Sequence, residues 1–331
     1  MGALQFAKNG NYKRFYENLK VIGKKEKKSP LFMFIDASLA VLITGSGLSD
    51  YLNYKFYKKS WKERKTYATI GYQADFYKKA GRDPEKLLNN KINFLRNNQD
   101  LTKRDFFDPK DSIDNLKKFL SKHEEFVCKP VNGLGGADIK KMNSSDINDI
   151  EELHNYLGSH NMFLEELIVQ NQEWGKISPK SINTIRVMTS NVNGNIEIFC
   201  MIARIGSSKN LADNFHQGGC GVFIDTEKGI LKGNGINKDL EEFEIHPVSH
   251  IKYDNYKIPF FKEITELCTK AAARFNQTNV IGWDVAITDK GPLIVEGNNG
   301  PGFDLVQVVL NKGTKYMIEK IDNEIIKSQK K

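Results

Sequence analysis

The sequence predicts an α+β protein, with a mainly helical N-terminal region followed by a core built largely on antiparallel sheets. Three observations carry that expectation. Up to about residue 120, apolar residues recur at helical spacing among lysines. After residue 123 the pattern turns to short β-type runs joined by Gly- and Asn-rich turns. Those runs do not alternate with helices regularly enough for a doubly wound parallel sheet.

The elements follow in order. LFMFIDASLAVLITG (31–45) is apolar but short, and Asp36 interrupts it. A membrane span needs about 20 mostly apolar residues, so this run reads as a buried helix or one that touches a membrane. SDYLNYKFYKKSWKERK (49–65) reads as a long amphipathic helix. Tyr51, Tyr54 and Tyr57 recur on it at a spacing that suits core packing better than a ligand-binding stripe. Asp-Pro at 83–84 and 108–109, the second followed by Asp111 and Ser112, marks turns and helix starts.

EFVCKPV (125–131) is then a short strand, followed by NGLGGAD. SSDINDIEELHNYLGSH reads as a helix capped by Ser144 or Ser145, and FLEELIVQ (163–170) as a buried strand. SINTIRVMTSNVNGNIEIFCMIARIG (181–206) is a hairpin turning on Asn193-Gly194, and residues 218–233 look like a second. PFFKEITELCTKAAARF (259–275) is a helix, and GWDVAITDKGPLIVEGN supplies the last hairpin.

Bulk composition bounds the class. With 331 residues, 40% hydrophobic and 27% charged, the chain is expected to be soluble and globular rather than disordered. Cys128, Cys200, Cys220 and Cys268 form no C-x-x-C pair and read as reduced buried thiols, which points to the cytoplasm. MGALQFAKNG lacks a signal peptide's apolar region and has Phe6 where myristoylation wants Ser or Thr. Residues 1–30 carry eight Lys and Arg against two Glu, a net +6. This basic arm reads first as a solvated helix face with a lysine-rich turn, and it is compatible with an anionic membrane surface or polyanionic substrate. No aromatic-interleaved basic strand or finger motif supports nucleic-acid binding.

Two motifs carry chemistry. In WDVAI and PLIVEGN, Asp284 and Glu296 lie roughly equidistant from the turn between the strands, so they share one edge of the hairpin. Alternation returns Asn298 to the face of Glu296. Two carboxylates and an amide oxygen suit Mg²⁺, which takes its remaining ligands from water and nucleotide phosphates. The plain alternative is strand-end residues in water. The second motif is Lys129 followed by Pro130-Val131-Asn132-Gly133-Leu134-Gly135-Gly136. It is neither a Walker A loop nor a dinucleotide fingerprint. A strand lysine with a glycine turn still lets backbone N–H groups approach phosphate.

Taken together, Lys129 with its glycine loop, the FLEELIV strand and the late D-x11-E-x-N resemble the ATP-grasp superfamily. SINTIRVMT, ARIG, DNFHQGGCGVFID and GWDVAI…GPLIVEGNNGPGFDLVQ resemble, more closely, its sugar-transfer-associated family. The resemblance runs from about residue 85 to 310. It implies two α+β subdomains gripping ATP, within an ATP-grasp region spanning 85–325 behind a helical region at 1–84. The glycine-loop subdomain would occupy about 123–170 and the metal-binding subdomain about 180–310.

The resemblance further implies site roles. Lys129 would contact the α- and β-phosphates, helped by Lys91, with Gly133, Gly135 and Gly136 forming the flap. The backbone around Glu166, Leu167 and Ile168 would meet adenine, and Glu165 or a neighbouring acid the ribose. Asp284, Glu296 and Asn298 would hold one or two Mg²⁺ ions. Arg186 and Arg204 would fork to the transferring phosphoryl group or to the carboxylate oxyanion, Asn183 orienting Arg186 or a phosphate. His216, with Asp213 and Asn214, fits substrate contact or a base for an incoming amine.

The implied activity is an ATP-dependent carboxylate–amine ligase working through an acyl phosphate. The family name implies work on cell-surface polysaccharide, amidating a sugar acid or attaching an amino acid to one, with a carboxylate-bearing glycan or sugar and an amine donor as partners. The basic arm is compatible with an anionic glycan or a lipid-linked precursor at the membrane face. A hydroxyl phosphotransferase and a non-catalytic nucleotide-binding accessory protein are the alternatives.

Overall fold

The computed structural model describes residues 11–81, 87–88, 90–131, 139–206 and 218–329. The chain divides into two compact units. One comprises Met1–Arg82, Ile236–Glu242 and Gly300–Lys331, the other Asp83–Gly235 and Phe243–Asn299.

In the first unit, helix α1 (Tyr12–Glu26) is capped by Asn11, whose Oδ1 accepts the Arg14 N–H at 2.9 Å. It ends at Lys27 in the left-handed conformation (φ 52°). Helix α2 (Pro30–Thr44) starts on proline and stops at left-handed Gly45. The two pack as a tight hairpin, since a Cβ on Gly23 would sit 2.6 Å from the Lys28 carbonyl. Asp36, which breaks the apolar run, faces inward. Arg64 grips it with two hydrogen bonds, at 2.8 and 2.7 Å, and the Tyr51 hydroxyl donates a third at 2.8 Å.

The long helix expected over 49–65 does not form. Helix α3 (Leu48–Asn53) stops short, Lys55 turns left-handed, and Ser60 opens a separate capped turn with Glu63. Breaking the helix lets Tyr54, Phe56 and Tyr67 pack ring against ring. Tyr51 and Tyr54 are core residues, as their spacing suggests. Helix α4 (Ile70–Lys79) follows.

The second unit opens with α5 (Lys91–Asn97), and the strands of the chain form two sheets. The smaller joins β1 (Phe106–Phe107), β2 (Glu125–Pro130), β3 (Lys140–Asn143) and β4 (Met162–Glu166) in the order β1-β4-β2-β3, all antiparallel. Helices α6 (Ile113–Lys122) and α7 (Ile150–Ser159) cover it, with Phe107, Leu116, Phe126, Leu157 and Leu164 between. Ser112 caps α6 as expected, whereas α7 starts six residues after Ser144 and is capped by Asp149. Asp149 accepts two backbone N–H groups, while Ser144–Asp146 form a 3₁₀ turn of their own. β4 ends at Glu166, short of the strand expected to residue 170.

The larger sheet holds β5 (Thr184–Val192), β6 (Asn195–Ile205), β7 (Cys220–Asp225), β8 (Ile230–Asn237), β9 (Glu242–Phe243), β10 (Val280–Thr288) and β11 (Gly291–Asn299). Its order is β11-β10-β5-β6-β7-β8-β9. The β5–β6 turn has both Asn193 and Gly194 at positive φ, as a two-residue hairpin loop requires. Helix α8 (Phe261–Arg274) packs on one face, where Ile185, Val187, Trp283, Val285 and Ile287 form the core. The alternate residues therefore face away from that core. Helices α9 (Asp304–Val309) and α10 (Lys315–Gln329) complete the first unit. All four cysteines are buried and free. Among the described residues no helix is long and apolar enough to cross a membrane.

Candidate functional site

The sheet face opposite α8 carries charge. Glu296 on β11 lies opposite Asp284 on β10, and Asp284 opposite Arg186 on β5. Arg204 on β6 pairs with Thr184, two residues before Arg186, which puts it on the same face. Four adjacent strands thus present a row of two carboxylates and two guanidinium groups. A bulge builds the row: the β10–β11 register shifts between Asp284 and Val285, so Val295 has no partner and Glu296 meets Asp284.

Asp284 is almost fully enclosed, at 1% exposure. Arg186 Nε donates to its Oδ1 at 2.5 Å and Arg186 Nη2 to Oδ2 at 3.1 Å. Arg204 Nη2 lies 3.2 Å from Oδ2, while its Nε donates to Thr184 Oγ1 at 3.0 Å. Burial works to raise the Asp284 carboxyl, but the Arg186 and Arg204 charges outweigh it and hold it down at about 2. Glu296 is raised, by burial and then by the Asp284 charge beside it. The two carboxyl groups are thus pushed in opposite directions, Asp284 down by its arginines and Glu296 up by burial and by Asp284.

This donor set fits magnesium. Two hard oxygen ligands repel one another across one strand pair, and a divalent cation relieves that repulsion. Asn298 lies two residues along, its amide within 3.5 Å of Glu296 Oε1. Among the described residues no group of three or more His, Cys, Asp or Glu is arranged for a metal. Two carboxylates and an amide make a site that leaves positions for water and phosphate oxygens.

A second cluster is centred on Glu165 of β4, 2% exposed. Lys129, on the neighbouring strand β2 two residues beyond Val127, the direct partner of Glu165, sets its ammonium on Oε2, and Arg104 Nη1 lies 2.6 Å from Oε1. Burial works against the Glu165 charge, yet Arg104 and then Lys129 keep its pKa below the ordinary value. Lys91, the first residue of α5, donates to the Pro130 carbonyl at 3.4 Å. Its pKa is lowered by burial, against the pull of Glu296, so it lies within electrostatic reach of both clusters.

Arg104 is the residue that sequence reasoning missed. Its Nη2 donates to the carbonyls of Ile294 and Val295 at 3.0 and 2.9 Å. Those carbonyls lie on the edge strand at the bulge, next to Glu296. Arg104 therefore ties the strand that carries Glu296 to the Glu165 cluster.

Two of the expected site residues have their side chains engaged in other contacts. Glu165 does not present its carboxylate outward for a ribose, because two cations enclose it. Glu166 is half-buried and accepts the Asp105 N–H at 2.8 Å. Asn183 is fully buried, its amide donating to the Trp174 carbonyl at 3.3 Å and accepting the Gly206 N–H at 3.2 Å. It fastens the start of β5 to the end of β6 instead of orienting Arg186. Leu167 and Ile168 are half-buried in the segment after β4. Gly133, Gly135 and Gly136, with Asp213, Asn214 and His216, lie outside the described residues.

Residues 84–323 match the sugar-transfer associated ATP-grasp family, and the chain belongs to it. Its fold is the ATP-grasp fold, with a mainly helical N-terminal region. Similar solved structures include the ATP-grasp ligase PsnB complexed with a phosphomimetic variant of a minimal precursor, Mg and ADP. That match has 14% identity and a TM-score of 0.41 over 73% of this chain and 60% of the other. Another is D-alanyl-alanine synthetase A from Vibrio cholerae O1 biovar eltor str. N16961, with 15% identity and a TM-score of 0.46 over 74% and 68%. D-Alanine-D-Alanine Ligase from Helicobacter pylori has 12% identity and a TM-score of 0.42 over 74% and 64%. The chain thus spans about 60% of the length of the first of these. No curated protein matches it in sequence.

Proposed function

We propose that this protein is an ATP- and Mg²⁺-dependent carboxylate–amine ligase that modifies a carboxylate-bearing sugar or glycan. The observation that carries the reading is the row Glu296–Asp284–Arg186–Arg204 on one sheet face. Phosphoryl transfer asks a protein mainly for positioning and charge neutralisation, and this row offers both signs of charge on a rigid support. Bound Mg²⁺ would neutralise the β- and γ-phosphate oxygens, held by Asp284, Glu296 and Asn298. Lys129 and Lys91 supply cations toward phosphates at the end of β2. Arg186 and Arg204, fixed through Asp284, orient the substrate carboxylate as one of its oxygens attacks the γ-phosphorus and ADP leaves, and stabilise the oxyanion that develops on the acyl group when the amine adds. An amine nitrogen then attacks the acyl carbon, gives up one proton to water, phosphate departs and an amide remains. The four buried, unpaired thiols suit a cytoplasmic setting.

The test is ATP binding by calorimetry with and without Mg²⁺, followed by ADP release across a panel of sugar acids and amines. The ligase reading requires ADP release that depends on both acid and amine, with an amide product. ADP release without amine, leaving a phosphorylated hydroxyl, would establish a phosphotransferase. ATP binding indifferent to Mg²⁺ and to Glu296→Gln would overturn the metal assignment and leave an accessory role.

A further inference from the structure

Helix α2 is apolar on all sides, but only one side is covered. Met33, Ala37, Ala40 and Val41 are buried. Leu31, Phe32, Ile35, Leu39, Leu42 and Ile43 are exposed, Phe32 at 74% and Leu42 at 68%. At about 100° per residue these six fall within one continuous arc of roughly 120°. That arc carries no charge, because Asp36 at its margin is drawn inward by Arg64 and Tyr51. Six large apolar side chains on one solvent-facing stripe exceed the scattered exposure of an ordinary surface.

Charge lies at one end of the stripe. Lys24, Lys25 and Lys27 are exposed in the last turn of α1 and the connection to α2, a few residues before Leu31 and Phe32. Residues 1–81 hold sixteen Lys and Arg against six Asp and Glu, net +10, whereas residues 82–331 hold thirty-three against thirty-five, net −2. The whole positive surplus of the protein therefore belongs to the region that bears the apolar stripe.

We propose that the exposed face of α2, with the basic α1–α2 turn, docks onto an anionic lipid bilayer and holds the protein peripherally. An interfacial helix of this kind buries its apolar side at the headgroup–acyl boundary while lysines meet anionic headgroups. Two signals together, apolar insertion and basic attraction, give reversible attachment without a span. A second copy of the chain fits less well, since a self-complementary contact would bring two basic turns into one assembly. The inference is independent of the chemistry assigned above.

The test is flotation of the full chain with vesicles of phosphatidylglycerol and phosphatidylcholine, against phosphatidylcholine alone. The protein should float with the anionic vesicles and release at high salt. Phe32→Glu/Leu39→Glu, both at exposed positions, should weaken partitioning at least about tenfold. Lys24→Glu/Lys25→Glu should weaken it about fivefold per cation removed. Phe32→Trp gives a readout that needs no disruptive change: indole emission should shift to the blue with anionic vesicles. No flotation with anionic vesicles, or flotation unaffected by Phe32→Glu/Leu39→Glu, would overturn the proposal. So would a dimer that the same variant splits while vesicle binding is absent, which would assign the face to a second copy.

Discussion

Glu165 and Asp284 in the second unit and Asp50 in the first are all buried carboxylates, but their surroundings are opposite. Each of the first two is met by two cations: Arg104 and Lys129 on Glu165, Arg186 and Arg204 on Asp284. Both stay ionised against the cost of burial. Among the described residues Asp50 has only backbone hydrogen-bond partners, accepting N–H from Gly47 at 2.8 Å and Ile70 at 2.9 Å, and burial pushes it up to about 6. Backbone hydrogen bonds suffice for a helix cap, whereas a dense array of buried ions seldom stabilises a core better than apolar side chains would. The second unit surrounds its buried carboxylates with cations; the first leaves Asp50 to backbone donors, and burial raises the pH at which it ionises.

The largest test of this contrast is Arg104→Met. It leaves Glu165 buried with one fewer cation and the Ile294 and Val295 carbonyls without their donor. Denaturant unfolding should show a loss of about 3–5 kcal/mol. The double variant Arg104→Met/Glu165→Gln should recover part of it, because the uncompensated charge is gone. A loss below about 1 kcal/mol, the range of a surface ion pair, would mean the cluster is less enclosed than its geometry indicates.

Arg186→Met comes next, acting on chemistry more than on stability. Arg204 still pairs with Asp284, so the fold should hold. ADP release with the true acid and amine should fall about 10²–10³-fold, the usual effect of losing one fixed donor to a developing oxyanion. Unchanged turnover would reduce the arginine row to a structural ion ladder and remove the distinction between the two units.

The same contrast marks where the sequence was readable. Equidistance from the turn put Asp284 and Glu296 at one edge of the last hairpin, and period-2 alternation returned Asn298 to the face of Glu296, because both arguments are local. The bulge at Val295 was not readable: an unbroken register around Asp289-Lys290 would set Asp284 opposite Val295. Arg186 meets Asp284 only because β5 pairs with β10, about a hundred residues along the chain, and no local pattern encodes that pairing. Arg104, in LTKRDFF, looks like a surface cation before a short strand. Glu165 was readable in part, since alternation places it with the buried Phe163. In the first unit, the lysines of 49–65 concealed a break at Lys55 whose cause is the tertiary packing of Tyr54, Phe56 and Tyr67.

Asp50→Asn should have the smallest effect, and its sign depends on pH. The folded carboxyl titrates at about 6 against an ordinary value of 3.8. The folded state therefore binds the proton more tightly than the unfolded chain does. That contribution is fully present below about pH 4 and is lost as pH rises through about 6, amounting to at most about 3 kcal/mol. Asparagine keeps an oxygen for Gly47 and Ile70 but cannot ionise. The stability difference, wild type minus variant, should thus fall between pH 4 and pH 7 and be level above that. A flat difference across the range would show Asp50 to be solvated in the folded state. A difference that rises with pH would show a cation bound beside it, which would place Asp50 with Glu165 and Asp284.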